Sequence, residues 1–133
     1  EEAGDWITAT DAHDIERIFL VAPSSTDARI AKVVESTSGF VYAASTMGVT
    51  GARTTLGTAA GELVARTRPV TELPICVGVG VSTGEQAASV ASYADGVIVG
   101  SAFVKRVLDA ASIDAACMAI DELTRELAEG VRA

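Results

Sequence analysis

Gly96-Val97-Ile98-Val99-Gly100-Ser101-Ala102 predicts a short strand that passes directly into a helix. The β-branched run from Val97 to Val99 is typical of a buried strand of a parallel sheet. Apolar residues then recur at helical spacing, at Phe103, Val104, Val107 and Leu108. A strand–helix junction of this kind indicates an α/β fold.

Three earlier segments repeat the pattern of a short apolar run bounded by Gly, Pro, Asp or Ser. They are Ile18 to Ala22, Phe40 to Ala44 and Ile75 to Val79. Continuous apolar runs of this kind predict strands that are covered on both faces. Helical patterns lie between the strands. The first would begin after Ser24 or Ser25, and the third at a capping box from Ser82 to Glu85.

The predicted order is one helix followed by four βα units, which requires parallel strands joined by right-handed crossovers. Two architectures fit this order: an open doubly wound sheet and one half of a barrel. Pro23-Ser24-Ser25 follows the first strand where a dinucleotide-binding fold would carry its glycine fingerprint. The 133 residues also fall well short of the roughly 250 that a complete (β/α)8 barrel needs.

Composition and charge exclude several classes of protein. With 49% hydrophobic and 21% charged residues, the chain has the composition of a globular protein and not of a disordered one. Ten Lys and Arg residues against 18 Asp and Glu residues give a net charge of -8, which disfavours nucleic acid as a partner. No apolar run reaches the ~20 residues that span a bilayer. We therefore expect a cytoplasmic protein. Cys76 and Cys117 are expected to be buried and without a metal, and the sequence leaves a disulfide between them open.

The junction after the last strand carries the strongest chemical signal. Gly100 and Ser101 would place backbone N–H groups and a hydroxyl at the start of a helix, where the helix dipole favours an anion. Gly80 follows the preceding strand and would let its loop approach the same anion. The spacing alone leaves two readings open, a phosphate clamp and glycines that only permit tight turns.

Other polar residues give weaker signals. Thr50 lies in a long glycine-bearing loop after the second strand, and Tyr42 could belong either to the core or to a pocket wall. His13 would lie on the surface of the opening helix, and Asp95 would cap or terminate a helix. No pair of carboxylates stands at strand ends, so the usual acid and base for carbon chemistry are not visible in this chain.

Four segments together carry a resemblance to a known family. Ile18-Phe19-Leu20-Val21-Ala22-Pro23, Gly39-Phe40-Val41-Tyr42, Gly48-Val49-Thr50-Gly51-Ala52 and the stretch at 96–102 resemble the tryptophan synthase alpha chain in order and spacing. The resemblance covers the whole of this chain but only the carboxyl-terminal half of the family's (β/α)8 barrel. It therefore implies a parallel four-stranded (βα)4 half of a TIM barrel, with residues 1–133 as one partial domain.

The resemblance also implies an activity, the cleavage of indole-3-glycerol phosphate to indole and glyceraldehyde 3-phosphate. The family acts with a beta chain that carries pyridoxal phosphate, so no cofactor is expected in this chain. Tyr42 matches a pocket residue, and Thr50 matches a closing-loop residue that contacts a catalytic aspartate. The positions that match the family's substrate-phosphate site are Gly51, Gly80, Gly100 and Ser101.

The family's catalytic glutamate and aspartate lie in the half that this chain does not contain, so no catalytic residue is expected here and the isolated chain should be inactive. Thr46 and Val79 depart from the family's common arginine and phenylalanine. Open strand edges and an uncovered barrel interior predict self-association. Two other readings are a non-catalytic phosphate-binding or interaction module and another phosphosugar barrel enzyme.

Overall fold

The computed structural model describes residues 3–45, 56–78 and 80–133, with the side chains of 56–58 left out. Six helices and four strands alternate along these ranges, with a short 3-10 helix at Arg68–Val70. Their bounds are α1 Gly4–Asp11, β1 Leu20–Val21, α2 Asp27–Glu35, β2 Val41–Ala44, α3 Leu56–Thr67, β3 Ile75–Gly78, α4 Gly84–Ala91, β4 Gly96–Ile98, α5 Ser101–Asp109 and α6 Ile113–Arg132. No helix within the described ranges is long and apolar enough to cross a bilayer.

The four strands form one parallel sheet in the order β1-β2-β3-β4. Sequential order with helical crossovers is the arrangement of a singly wound sheet or a barrel segment, because a doubly wound sheet would reverse direction at a switch point. Tyr42 pairs with Leu20 on one side and with Cys76 on the other, and Gly78 pairs with Ile98. The prediction of four parallel strands in βα units is confirmed.

The edge strand β1 is shorter than the sequence predicted. β1 consists of Leu20 and Val21 alone, although the apolar run extends from 18 to 22. Since β1 pairs only with β2, its length is set by the few residues that reach that partner, and Phe19 adds one more bond by accepting the N–H of Tyr42 at 3.1 Å. Val79, which was predicted to end β3, lies outside the described residues.

The two faces of the sheet differ in cover. One face is packed under the helices and contributes Val21, Val41, Ala43, Ile75 and Val77, each at most 1% exposed. On the other face, the side chains that alternate with these are only half-buried, and Leu20 is 58% exposed. The prediction of cover on both faces is therefore wrong for the residues described, because the helical residues of the core pack with one face only.

Helical residues complete the core on the covered face. Ile30 and Val34 come from α2, Leu63 from α3, and Leu123 and Leu127 from α6. These residues are spaced at three, four or seven positions within each helix, so one apolar stripe of each helix faces the sheet. The core is thus a single layer between strands and helices, and it holds the carboxyl ends of the strands in place.

Two helix starts differ from the sequence prediction. α2 is capped by Thr26, whose Oγ1 accepts the N–H of Arg29 at 3.3 Å, and not by Ser24 or Ser25. The Ser25 hydroxyl instead accepts the N–H of Ala22 at 3.1 Å, which closes a turn after β1. His13 lies beyond the end of α1 and not within it, although it is exposed as expected.

Candidate functional site

The sheet register brings two of the predicted site residues to one edge. Gly78 of β3 pairs with Ile98 of β4, so Gly80 and Gly100 each follow their strand by the same two residues. Parallel strands end at the same edge of the sheet, and ligands of such folds bind there. The structure therefore places Gly80, Gly100 and Ser101 at neighbouring strand ends, as the sequence predicted.

Among the residues that the structure describes, none caps the N-terminus of α5 with its side chain. Gly100 is the N-cap residue with φ -129° and ψ -71°, and its carbonyl accepts the N–H groups of Phe103 and Val104 at 3.0 and 3.2 Å. The N–H groups of Ser101 and Ala102 belong to the first turn, where the helix itself offers no carbonyl partner. Gly100 and Ser101 are both exposed, and a Cβ at Gly100 would meet no atom within 4 Å. This helix end is open to an anion.

The N-terminus of α4, beside it, is satisfied by the protein itself. Thr83 is the N-cap residue, and its Oγ1 accepts the N–H of Gln86 at 3.3 Å, while Gln86 Oε1 accepts the N–H of Ser82 at 2.8 Å. Glu126, from α6, accepts the N–H of Gly84 at 2.7 Å. The capping box therefore uses Thr83 and Gln86, and the prediction that it runs from Ser82 to Glu85 is wrong by one residue.

Gly80 adopts a positive φ of 74° in the loop between β3 and α4. This is the left-handed region, which glycine enters without the steric cost that a Cβ imposes. The positive φ shows that this turn favours a glycine, and it leaves the phosphate clamp possible because Gly80 is exposed at the strand ends.

Tyr42 lies on the open face of β2, half-buried, with its ring directed toward β3. A Cβ at Gly78 would collide with the Tyr42 hydroxyl, which fixes the ring against the end of β3. Tyr42 therefore forms part of the open face below the Gly80 loop. Tyr42 is thus not among the buried core residues, and its place in a pocket wall stays a prediction. Thr50 and Gly51, and the departures at Thr46 and Val79, lie outside the described residues.

Asp95 lies at the opposite end of the strands, where it neither caps a helix nor faces the candidate site. Its Oδ2 accepts the N–H of Ile75 at 2.8 Å and forms an ion pair with Arg68 at 2.6 Å. The hydrogen bond from Ile75 and then the Arg68 guanidinium lower the pKa of the Asp95 carboxyl below its usual range. Asp95 thus joins the starts of β3 and β4, which corrects the prediction of a helix cap.

The two cysteines are both free, but only one is shielded. Cys76 is half-buried on β3, and burial together with the charge of Asp95 raises the pKa of its thiol. Cys117 is exposed on α6, so the prediction that it is buried is wrong. Across the described ranges, no cluster of three His, Cys, Asp or Glu residues could hold a metal ion.

Comparison with known proteins identifies the family of the chain. A family model described as "Tryptophan synthase alpha chain" matches residues 1–132. The tryptophan synthase alpha chain of Thermobifida fusca is 61% identical over 136 residues, and that of Acidothermus cellulolyticus is 60% identical over 132 residues. These matches cover 100% and 99% of this chain but only 50% and 49% of the relatives, so the chain spans about half of their length.

Solved structures show the same relation in three dimensions. A ligand-free tryptophan synthase from M. tuberculosis is 46% identical with a TM-score of 0.84, over 99% of this chain and 47% of that one. A tryptophan synthase a2b2 complex from Pyrococcus furiosus gives 27% identity and a TM-score of 0.79, over 96% and 49%. The alpha chains are (β/α)8 barrels, so four parallel strands over half of them confirm the predicted half-barrel. The chain belongs to the tryptophan synthase alpha chain family.

Proposed function

We propose that this chain carries the phosphate-binding half of an active site that cleaves indole-3-glycerol phosphate to indole and glyceraldehyde 3-phosphate. One observation carries the proposal: in a chain of this family, the N-terminus of α5 is left without a side-chain cap at the strand ends, next to Gly80. On this proposal, residues 1–133 form one partial domain of a barrel.

The anion is held by backbone groups in spite of the chain's net charge of -8. The first-turn N–H groups of Ser101 and Ala102 point along the helix axis toward the ligand, and the helix dipole adds a partial positive charge there. The first turn of α5 contains no acidic residue that would oppose the phosphoryl group. The Ser101 hydroxyl supplies one further donor, and Gly51 supplies another backbone group on the proposal.

The remaining proposed residues act on the rest of the substrate. Tyr42, on the open face, forms part of the wall beside the reacting carbon atoms, and Thr50 belongs to the loop that closes over them. The carboxylates that transfer protons come from the half of the barrel that this chain does not contain. We therefore assign no catalytic residue here and expect no turnover by the chain alone.

The proposal includes partners and location. The Pyrococcus furiosus neighbour is an a2b2 complex, and on that analogy the complete protein binds a beta chain, which holds the pyridoxal phosphate. It would act in the cytoplasm. This chain itself is proposed to need no cofactor.

The isolated chain is also proposed to self-associate. Large apolar side chains are exposed on the edge strand β1, at Leu20, and on the two helices that follow the edge strand β4, at Leu108, Ile113 and Met118. Edge strands present unpaired N–H and C=O groups to any further strand. Sedimentation velocity should show a dimer or larger species, and a monodisperse monomer would contradict this part of the proposal.

Equilibrium binding tests the phosphate site directly. Isothermal titration with glycerol 3-phosphate should show saturable binding to the chain, and glycerol should show none because it lacks the phosphoryl group. Equal heats from both compounds would remove the basis of the proposal.

Activity is tested by the release of indole from indole-3-glycerol phosphate. We expect none from the chain alone, and we expect release when the amino-terminal half of the Thermobifida fusca relative is supplied with it. Binding without release in the reconstituted mixture would favour a non-catalytic phosphate-binding module.

A further inference from the structure

Helix α6 contacts Gly84, the first residue of α4, at three points. Glu126 Oε1 accepts the Gly84 N–H at 2.7 Å. A Cβ at Gly84 would lie 2.6 Å from the Glu126 carbonyl oxygen, and a Cβ at Gly130 would collide with the Gly84 carbonyl oxygen. The backbones of the two helices are therefore in direct contact at this point, and the carboxylate is added to that contact.

The position of Glu126 is fixed by the core on the same helix. Leu123 and Leu127, which flank it, are 1% and 8% exposed and pack in one cluster with Ala87 and Val90 of α4. Because these residues set how α6 lies on α4, the Glu126 side chain needs only a short reach to the Gly84 N–H. The carboxylate also lies at the positive end of the α4 dipole, where a negative charge is favoured.

This contact joins the two sides of the candidate phosphate site. Residues 80–83 lead directly into Gly84, and α5 leads through a short connection into α6. α5 itself has no buried residue, so its anchorage depends on the elements around it. A group that ties the start of α4 to α6 therefore also limits movement of the Gly80 loop relative to the N-terminus of α5.

We propose that Glu126 is a positioning residue of the phosphate site, acting through Gly84 on the loop 80–83. Only the identity of the ligand rests on the proposed function. The position of Glu126, 42 residues from Gly84 in the sequence, is set by the fold alone.

Hydrogen exchange tests the proposal without any ligand. Glu126→Ala removes the acceptor, Glu126→Gln keeps an acceptor oxygen, and Glu122→Ala removes the same charge from an exposed position one turn earlier on α6. We expect Glu126→Ala to raise amide exchange in residues 80–84 about fivefold, in line with the loss of one hydrogen bond. Glu126→Gln and Glu122→Ala should exchange like the parent chain. Unchanged exchange at 80–84 in Glu126→Ala would overturn the proposal.

Titration with glycerol 3-phosphate adds a second test, in which the direction of the change in dissociation constant separates loss of charge from loss of positioning. Removal of a negative charge near an anion site should by itself tighten binding, whereas loss of positioning should weaken it. We expect Glu126→Ala to raise the dissociation constant about fivefold and Glu126→Gln to restore it. Tighter binding, or a lower melting temperature with an unchanged dissociation constant, would contradict a positioning role. If the parent chain binds no glycerol 3-phosphate, the proposed function fails, and the exchange experiment still decides the role of Glu126.

Discussion

The neighbouring helices α4 and α5 follow neighbouring strands and begin at the same end of the sheet. Their N-termini nevertheless differ in how the protein bonds the N–H groups of the first turn. The start of α4 receives oxygen atoms from Thr83, Gln86 and Glu126, and its backbone is in contact with α6. At the start of α5, no side chain within the described ranges forms a cap, and a Cβ at Gly100 would meet no described atom within 4 Å. Where a fold satisfies one helix end and leaves its neighbour unsatisfied, the second end is the one available to a ligand.

A substitution that closes the open end of α5 should have the largest effect, because it should weaken phosphate binding there. In Gly100→Asp, a carboxylate occupies the N-cap position and repels a phosphoryl group. We expect glycerol 3-phosphate to bind at least about 30-fold more weakly by titration calorimetry, which is about 2 kcal/mol. Thermal stability should be unchanged or higher, because aspartate is a good N-cap. Unchanged affinity would show that the anion does not bind at this helix end.

Substitution of a glycine at each helix start compares how tightly the two starts are packed. Gly84→Ala should lower the free energy of unfolding by about 1–3 kcal/mol, since the new Cβ meets the Glu126 carbonyl at 2.6 Å. Gly100→Ala is the matched control, where the same methyl group meets nothing within 4 Å. Thermal or urea unfolding measures both, and equal losses would show that the two ends are packed alike.

Hydroxyl substitutions make the same comparison with a smaller effect. Thr83→Ala should destabilise the chain by about 1 kcal/mol, because it removes the side-chain cap of α4. Ser101→Ala should change stability by less than about 0.5 kcal/mol, since Ser101 is exposed and α5 has no side-chain cap to lose. A larger loss for Ser101→Ala than for Thr83→Ala would contradict this assignment of caps.

The smallest expected effect is at the other end of the strands, where Asp95 is bonded to Ile75 and Arg68. Because the folded state lowers the pKa of this carboxyl, its stabilisation is complete above the unfolded pKa of about 3.9 and is lost as the pH falls through the folded value. Asp95→Asn should therefore cost less than about 1 kcal/mol at pH 7, since the ion pair is half-exposed. Urea unfolding from pH 7 to pH 2.5 should show the difference vanish at the acid end. A difference in the free energy of unfolding that grows toward low pH would contradict the lowered pKa of Asp95.

The strands and their parallel order could be predicted from the sequence because short β-branched runs between glycine, proline and aspartate are local signals. The open face could not be recognised in the same way. The continuous apolar runs predict cover on both faces, and only the resemblance to half of a barrel implied an uncovered interior. Within the described residues, the helical part of the core packs with one face of the strands. An apolar face without a helical layer is what the interior of a barrel requires, so that error itself fits a chain that spans half of its relatives.

The candidate site could be predicted where the order and direction of the strands alone place the residues. Gly80 and Gly100 follow adjacent parallel strands, and that topology brings them to one edge whatever the side chains are. The caps were less predictable, because Ser24, Ser25 and Thr26 offer three hydroxyl groups in a row and the choice depends on the Ser25 bond to Ala22.

The contact of Glu126 with Gly84 spans 42 residues and leaves no local signal at all. It depends on how α6 packs across α4, which only the folded core determines.

Amide chemical shifts, recorded by nuclear magnetic resonance during titration with glycerol 3-phosphate, test most directly whether the phosphate binds at the start of α5. We predict that the largest shifts occur at the amides of Gly80, Gly100, Ser101 and Ala102, while the amide of Gly84, already bonded to Glu126, moves little. Shifts centred on the start of α4, or no shifts at saturating ligand, would contradict the assignment of α5 as the phosphate-binding end.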